Sequence, residues 1–327
     1  MPLDDRFTYH PPFWARDPLV QTSLGRARYR RWGPNAMLEH AREEILTTPE
    51  GVRLQCFVST LKGRTRRGSA ILLPGWESSA HTTYMVCLGR KLFHEGFDVY
   101  RLNFRDHGET HHLNEGMFHG ALLQEVADAV GMIGANTNGT PVTLIGFSMG
   151  GNFALRLACL ELPFLSAIYA VSPVLKPLAS TRKMDENPLM RAYFREKWLR
   201  SMKRKEALFP DRYNFEELYQ ESHILKMTEI ILGKYTDFPS VEAYFDQYTL
   251  TPERLAEVRI PATVIVSEDD PVLDDVPYTD YLSLEKVWFS VQKYGGHIGF
   301  IRPTLRVSWA DRFITRRMLE SVNQASG

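Results

Sequence analysis

Residues 146–150 read Gly-Phe-Ser-Met-Gly and lie between an apolar run that ends at Phe147 and a helical pattern that begins near Asn152. Glycines two positions before and after a serine let a strand and a helix approach closely across a tight turn. Such a turn exposes the serine hydroxyl at the end of the strand. The feature limits the chain to folds in which a strand leads directly into a helix, and it makes Ser148 the candidate nucleophile.

Short apolar segments alternate with helical patterns along most of the chain. The apolar segments are rich in β-branched residues and end in turn residues, which predicts strands. Strands are predicted over residues 54–59, 70–73, 98–104, 142–147, 167–171, 262–267 and 287–292, and helices include residues 84–94, 122–133 and 152–162. Apolar strands separated by helices are typical of a parallel sheet covered on both faces. The sequence therefore predicts an α/β fold.

The composition is that of an ordinary globular protein and argues against a nucleic-acid binder. Among 327 residues, 39 Lys and Arg balance 39 Asp and Glu, and 44% of residues are hydrophobic. A chain without net positive charge lacks the general electrostatic footprint of a DNA- or RNA-binding protein. We therefore expect no nucleic-acid partner.

No signal for export or membrane insertion is readable in the sequence. Residues 1–13 carry acids where a signal peptide needs a basic segment, and the longest uncharged stretch, residues 129–155, has polar residues and a proline in its middle. Cys56, Cys87 and Cys159 have neither metal-ligand spacing nor the density of a disulfide scaffold. We expect a cytoplasmic protein.

Two segments depart from the alternation of strands and helices. Residues 1–40 are rich in proline, aromatic residues and arginine, which predicts an extended N-terminal arm. Residues 176–256 are helical and aromatic-rich, which predicts an insertion into a core formed by residues 41–175 and 257–327.

One helix of the insertion combines an apolar stripe with a strong basic charge. Residues 182–206 contain nine basic residues against four acidic ones, and Met190, Phe194, Trp198 and Met202 recur every four residues. This pattern indicates a helix packed on the body of the protein, and weak contact with an anionic membrane surface is the alternative.

A serine nucleophile needs a base and an acid that orients the base, which should follow in the order Ser, Asp, His. Asp270 follows the predicted strand 262–267 and is our candidate acid, with its neighbour Asp269 as the alternative. His297 follows the last predicted strand in the glycine-flanked segment Gly-Gly-His-Ile-Gly and is the candidate base.

Two backbone N–H groups are candidates to stabilise an oxyanion. The Met149 N–H follows Ser148 at the start of a helix, where the helix dipole favours negative charge. The Trp76 N–H follows Pro74-Gly75, because a proline lacks an N–H and a glycine turns the chain sharply.

Four histidines, His107, His111, His112 and His119, cluster near acidic residues and raise the alternative of a metal site. Convergence of His107 and His111 would require a helix, yet Gly108 lies between them after a strand. We expect this loop to line the mouth of the serine site, without a metal ion.

These motifs resemble those of the α/β-hydrolase superfamily and, within it, the YheT-like branch. The resemblance rests on Pro11-Pro12-Phe13-Trp14, Gln21-Thr22, Pro49-Glu50-Gly51, residues 74–79 with Tyr84, residues 102–105, 146–152, 269–271 and 295–300. It implies an eight-stranded, mostly parallel sheet flanked by helices, with residues 176–256 as a helical cap. It also implies that Ser148, Asp270 and His297 form a triad. Members usually carry His-Gly where this chain has Pro74-Gly75.

The function predicted from these features is hydrolysis of carboxylic esters through an acyl-enzyme, without a cofactor. Acyl transfer to an alcohol would use the same residues and stays open, as does a non-catalytic, ligand-binding member of the fold. The aromatic-rich cap predicts an apolar acyl pocket that prefers medium chains to acetate. The predicted pocket residues are His107, Phe147, Trp198, Tyr235 and Phe238.

Overall fold

A sheet of eight strands forms the centre of the protein, in the order β1-β2-β4-β3-β5-β6-β7-β8. The structure is a computed structural model that describes residues 8–61, 63, 66–137, 139–274, 277–304 and 306–325. The strands are β1 Ala41–Thr47, β2 Arg53–Ser59, β3 Gly68–Leu73, β4 Phe97–Leu102, β5 Val142–Phe147, β6 Leu165–Val171, β7 Ala262–Ser267 and β8 Val287–Gln292. Pairs β1–β2 and β2–β4 are antiparallel and the other five pairs are parallel. The predicted mostly parallel, eight-stranded sheet is confirmed.

Helices cover both faces of the sheet. They are α1 Pro18–Arg26, α2 Ala36–Glu39, α3 Thr83–His94, α4 Leu123–Ala135, α5 Met149–Leu157, α6 Pro177–Glu186, α7 Pro188–Leu208, α8 Glu216–Gln220, α9 Ile224–Tyr235, α10 Val241–Asp246, α11 Pro252–Ala256 and α12 Trp309–Ala325. Alternate residues of β3 point to opposite faces. Ile71 and Leu73 pack with α4 and α5, whereas Ala70 and Leu72 pack with α3 and α12.

The central strands read as uninterrupted apolar runs because helices bury them on both sides. Every residue of β3, β4 and β5 is buried. Strand β1 lies at the edge of the sheet, pairs with β2 and exposes the charged residues Arg42 and Glu43. Its charged sequence explains why the apolar pattern did not predict it.

The six helices α6–α11 lie between β6 and β7 in sequence, and residues 172–261 contain no strand. This stretch contains the segment that the sequence predicted as a cap. Its helices form two apolar clusters of their own, one around Met227 and Phe215 and the other around Tyr244 and Phe245.

The N-terminal arm differs from the extended segment expected from the sequence. Its residues 1–7 lie outside the described residues, and residues 18–26 form helix α1. The Asp17 carboxylate accepts hydrogen bonds from the N–H groups of Leu19 and Val20, and Pro18 occupies the first helical position. An N-cap aspartate followed by proline is a helix-start signal, which outweighs the irregular apolar pattern of the arm.

Candidate active site

Ser148 occupies a strained turn between β5 and α5. Its backbone has φ 54° and ψ −117°, a region that non-glycine residues rarely adopt. A Cβ atom on Gly146 would lie 2.0 Å from the Gly150 carbonyl oxygen, and one on Gly150 would lie 2.4 Å from the Leu73 carbonyl oxygen. Only glycine fits at these two positions, as the sequence predicted, so the turn holds Ser148 at the carboxyl edge of the sheet.

Ser148, His297 and Asp270 are joined by hydrogen bonds. The distance from His297 Nε2 to Ser148 Oγ is 2.9 Å, and His297 Nδ1 lies 2.9 and 3.1 Å from the two Asp270 carboxylate oxygens. His297 and Asp270 are both buried. Burial alone would raise the pKa of Asp270, but His297 and the backbone N–H groups of Val272 and Leu273 lower it below its ordinary value. The carboxylate is therefore ionised at neutral pH and able to stabilise an imidazolium.

Asp269, the alternative acid, supports the histidine loop instead. Its Oδ1 accepts a hydrogen bond from the Gly296 N–H at 2.9 Å. Ser267 Oγ donates to the Gly296 carbonyl oxygen at 3.0 Å. The two neighbouring aspartates thus contact different groups of the same loop, and Asp270 is the one that contacts the imidazole.

The loop after β3 brings Trp76 close to Ser148. A Cβ atom on Gly75 would lie 3.2 Å from Ser148 Cβ, so the loop passes directly against the serine. Trp76 and Met149 both line the same cavity as Ser148. Among the described residues, neither of their N–H groups has a hydrogen-bond partner. Two free amides beside a serine hydroxyl can accept the negative charge of an oxyanion.

Three contacts hold the loop that begins at Pro74. The Gly75 N–H donates to the Tyr84 hydroxyl at 3.1 Å. The Glu77 N–H donates to His107 Nε2 at 3.2 Å, and His107 Nδ1 contacts the Arg105 carbonyl oxygen at 2.8 Å. On the cap side, Lys197 Nζ donates to the Glu77 carbonyl oxygen at 2.7 Å. Sequence reasoning missed the roles of Tyr84 and Lys197, because the sequence does not show which side chains face the backbone of this loop.

A cavity of about 510 Å³ lies beside Ser148. It is lined by core loops and by the helices between β6 and β7, among them the predicted pocket residues Trp198, Tyr235 and Phe238. The other two predicted pocket residues, His107 and Phe147, do not line it. His107 is buried behind the Trp76 loop, and Phe147 is buried against Tyr84 with ring centroids 4.6 Å apart. Both were wrongly placed because the sequence does not show which side of the loop or strand faces the cavity.

Trp76 links the candidate oxyanion loop to helix α7. Its ring stacks on Phe194 at an interplanar angle of 12° and a centroid distance of 5.8 Å. Its edge meets Trp198 at 5.1 Å. The apolar stripe of α7 therefore packs against the loop that carries one of the two candidate amides.

Glu77 follows Trp76 in the chain and also lines the cavity. Burial raises its pKa to about 8, and the nearby Asp106 carboxylate adds to this effect. The Lys197 ammonium and a hydrogen bond with Ser201 act in the opposite direction. At neutral pH the group is therefore mainly an uncharged acid that can donate a hydrogen bond.

The loop that contains the clustered histidines is organised by a buried lysine from α7. Lys205 Nζ donates to Asp106 Oδ1 at 2.9 Å and to the carbonyl oxygens of His111, Asn114 and Gly116. The side chains of both Lys205 and Asp106 are buried. Removing either partner would leave an uncompensated charge inside the protein.

Three histidines of this loop, His107, His111 and His119, are held in their neutral form. Burial lowers the pKa of His107 and His119 to about 4 and that of His111 to about 3. Within the described part of the chain, no group of three or more His, Cys, Asp or Glu side chains could hold a metal ion.

The basic side chains of α7 are largely drawn into contacts within the protein. Arg191 and Arg195 donate to backbone carbonyl oxygens, and Arg200 pairs with Glu196. Lys203 is exposed and lies over the ring of Tyr219. These four basic side chains thus contact other residues of the segment 176–256.

Comparisons with known proteins identify the family and the fold. A model described as the Alpha/beta hydrolase family matches residues 70–308. The chain belongs to the alpha/beta hydrolase family. This alpha/beta hydrolase carries Ser148, Asp270 and His297 within the matched region, whereas helix α1 lies outside it. A comparison with curated proteins finds no match.

Several solved structures share the alpha/beta hydrolase fold at low sequence identity. The esterase Pf2001 of Pyrococcus furiosus is 16% identical with a TM-score of 0.58, over 90% of this chain and 93% of that chain. Est1E from Butyrivibrio proteoclasticus, solved with ferulic acid, is 13% identical with a TM-score of 0.56, over 86% and 99%. A membrane phospholipase A described as a bacterial virulence factor is 14% identical with a TM-score of 0.58, over 88% of each chain. None of the described helices of the present alpha/beta hydrolase is long and apolar enough to cross a membrane.

Proposed function

We propose that this chain is a serine hydrolase that cleaves carboxylic esters. The observation that carries the proposal is the continuous line of contacts from Ser148 Oγ to His297 and on to Asp270, with 2.9 Å between Ser148 Oγ and His297 Nε2. Such a line is the arrangement that activates a neutral serine hydroxyl. The free N–H groups of Trp76 and Met149 supply the second requirement of acyl transfer, which is stabilisation of an oxyanion.

In the proposed mechanism, Ser148 Oγ attacks the ester carbonyl carbon while His297 Nε2 takes the hydroxyl proton. The tetrahedral oxyanion accepts hydrogen bonds from the Trp76 and Met149 amides. His297 then gives its proton to the leaving alcohol oxygen as the carbon–oxygen bond breaks, which leaves an acyl-enzyme. Water, deprotonated by His297, attacks this acyl group and releases the acid and Ser148. Asp270 stabilises the imidazolium in both half-reactions.

The cavity supports an ester with a medium-length apolar acyl group. A volume of about 510 Å³ lies in the range of small-molecule pockets. Met184, Ile231 and Leu232 line it with apolar side chains, and Trp198 and Phe238 add aromatic ones. Burial of each methylene of an acyl chain contributes roughly 0.8 kcal/mol, so longer chains than acetyl should bind better until the cavity is full.

Substitution of Ser148 by alanine tests the proposal directly. We expect Ser148→Ala to lower kcat for nitrophenyl esters by more than about 10³-fold, because no other group replaces the nucleophile. Ser59→Ala is a matched control, since Ser59 is also buried but donates to the Met37 carbonyl oxygen away from the site. Undiminished activity of Ser148→Ala would refute the proposal. Product analysis with added alcohol should yield mainly the free acid, whereas predominant transesterification would indicate an acyltransferase.

Three finer assignments are part of the proposal. We place the chain in the YheT-like branch, on the strength of the motifs around Trp14, Thr22 and Trp76, and in the cytoplasm. We also propose weak contact of α7 with anionic membrane surfaces. Sedimentation with liposomes, with and without anionic lipid, should reveal salt-sensitive binding, and its absence would remove this assignment.

A further inference from the structure

The segment that carries His297 adopts an unfavourable backbone conformation. Gly295 and Gly296 precede the histidine and have positive φ angles of 159° and 52°. Ile298 and Phe300 follow it with positive φ angles of 63° and 46°, which are unfavourable for residues with a Cβ atom. Such a conformation persists only where surrounding contacts enforce it. The position of the imidazole therefore depends on whatever holds this backbone.

Helix α1 of the N-terminal arm supplies a hydrogen bond to His297 itself. The His297 N–H donates to Thr22 Oγ1 at 2.9 Å, and the Thr22 hydroxyl donates to the Pro18 carbonyl oxygen at 2.7 Å. The hydroxyl thus acts as both hydrogen-bond acceptor and donor, and Thr22 is buried. Because the hydroxyl hydrogen points to the Pro18 carbonyl oxygen, a lone pair of Thr22 Oγ1 is free to accept the hydrogen bond from the His297 N–H.

The neighbouring residue of α1 holds the end of the same loop. Gln21 Oε1 accepts a hydrogen bond from the Ile301 N–H at 2.7 Å. Its Nε2 donates to the Tyr9 hydroxyl at 2.8 Å and to the Ala15 carbonyl oxygen. Gln21 is fully buried although it is polar, which is typical of a side chain that satisfies several backbone groups.

Helix α1 also packs against the loop without any space between them. A Cβ atom on Gly25 would lie 3.0 Å from Gly299 Cα and 3.1 Å from the Ile298 carbonyl oxygen. Beyond α1, the Arg30 guanidinium pairs with the buried Asp311 carboxylate of α12 at 3.3 Å. The arm is therefore anchored on both sides of its contact with the histidine loop.

We propose that Thr22 is a positioning residue for His297 and that helix α1 helps to set the geometry of the active site. The inference rests on the proposed function, because it assigns His297 as the base. By fixing the backbone of His297, Thr22 keeps Nε2 within hydrogen-bond distance of Ser148 Oγ while the imidazole gains and loses its proton. A small misplacement of a reacting group can lower the reaction rate by about 100-fold. Loss of the hydrogen bond between Thr22 and the His297 N–H should therefore lower kcat, although Thr22 lies outside the family-matched region.

Three threonine variants test the proposal. Thr22→Val keeps the shape of the side chain but leaves the His297 N–H without an acceptor, and it should lower kcat by about 10- to 100-fold with little change in KM. Thr22→Ser keeps the hydroxyl and should restore most of the native kcat. Thr315→Val is the matched control, since Thr315 is buried and donates only to the Asp311 carbonyl oxygen within α12. It should leave kcat unchanged.

A second variant and a second readout complete the test. Gly25→Ala crowds Gly299 without removing a hydroxyl, and it should also lower kcat. If Thr22→Val fails to fold, the kcat of Gly25→Ala tests whether the contact between α1 and the histidine loop affects activity. Hydrogen–deuterium exchange of the peptide that spans residues 293–301 should accelerate in Thr22→Val and not in Thr315→Val.

The outcomes separate this inference from the proposed function. Native kcat in a folded Thr22→Val, or equal losses in Thr22→Val and Thr315→Val, would overturn the role of Thr22. If Thr22→Val does not fold, native kcat in Gly25→Ala would overturn the role of helix α1. Faster exchange in Thr22→Val, combined with a native protein that hydrolyses no ester, would contradict the proposed function. It would still support the claim that Thr22 holds the backbone of the His297 loop.

Discussion

Asp269 and Asp270 contact successive residues of one loop, Asp269 at a backbone N–H group and Asp270 at an imidazole nitrogen. Asp269 Oδ1 accepts the Gly296 N–H at 2.9 Å, whereas the carboxylate of Asp270 lies 2.9 Å from Nδ1 of His297. Adjacent side chains of the same type therefore divide two tasks: one supports the loop backbone and the other contacts the imidazole. The sequence left both residues open for the acid of the site.

This division predicts different losses for two otherwise equivalent substitutions. Asp270→Asn should lower kcat by about 10⁴-fold, because an amide neither stabilises an imidazolium nor selects its tautomer. Asp269→Asn should have a far smaller effect, since its amide oxygen can still accept the Gly296 N–H. Steady-state kinetics with a nitrophenyl ester measures both, and the reverse order of losses would assign the acid to Asp269.

Glu77 predicts a pH dependence of stability. Burial raises its pKa to about 8 from the ordinary value of 4.5, so the unfolded chain releases this proton at lower pH than the native protein does. The protonated Glu77 side chain therefore makes its full contribution to the free energy of unfolding below pH 4.5, and this contribution is lost as the pH rises towards 8. Glu77→Gln, which stays neutral, should become progressively more stable relative to the native protein over this window. Thermal unfolding between pH 5 and about 9 measures the difference, with Glu196→Gln as an exposed control; parallel curves for native protein and Glu77→Gln would contradict the assignment.

Lys205 predicts a large loss of stability on substitution. Lys205→Met should lower the free energy of unfolding by about 3–5 kcal/mol, because it leaves the buried Asp106 carboxylate and three carbonyl oxygens without their donor. Lys203→Met, on the exposed side of the same helix, should change it by less than about 0.5 kcal/mol. Denaturant titration compares the two variants. Similar small losses in both would show that the ion pair does not hold the cap to the core.

The cavity predicts a preference for acyl-chain length. In a series of nitrophenyl esters, kcat/KM should peak at a medium chain rather than at acetate. Ile231→Trp should move the peak to shorter chains because Ile231 lines the cavity and the larger ring fills it. Leu189→Trp is the control, since Leu189 is exposed on α7. A peak at acetate in the native protein would contradict an apolar acyl pocket.

The sequence predicted what is encoded locally. The order strand, glycine, serine, glycine and helix correctly placed Ser148 in the turn between β5 and α5. The central strands were predicted because burial on both faces makes them apolar. Strand β1 was missed since an edge strand tolerates charges such as Glu43. Helix α1 was missed although Asp17 and Pro18 carry its start signal.

Contacts between distant segments could not be read from the sequence. Thr22 and His297 are 275 positions apart, and Lys205 and Asp106 are 99 apart. No local sequence pattern indicates that the two residues of such a pair are in contact. For the same reason His107 was assigned to the cavity wall, whereas it supports the Glu77 N–H from behind the loop.

Intact-mass analysis after treatment with a fluorophosphonate tests the central claim most directly. The reagent reacts with a serine only when a base and an oxyanion site activate it. We predict a single adduct on the native protein and none on Ser148→Ala or His297→Ala under the same conditions. An unlabelled native protein, or an adduct that persists on Ser148→Ala, would contradict the assignment of Ser148 as an activated nucleophile.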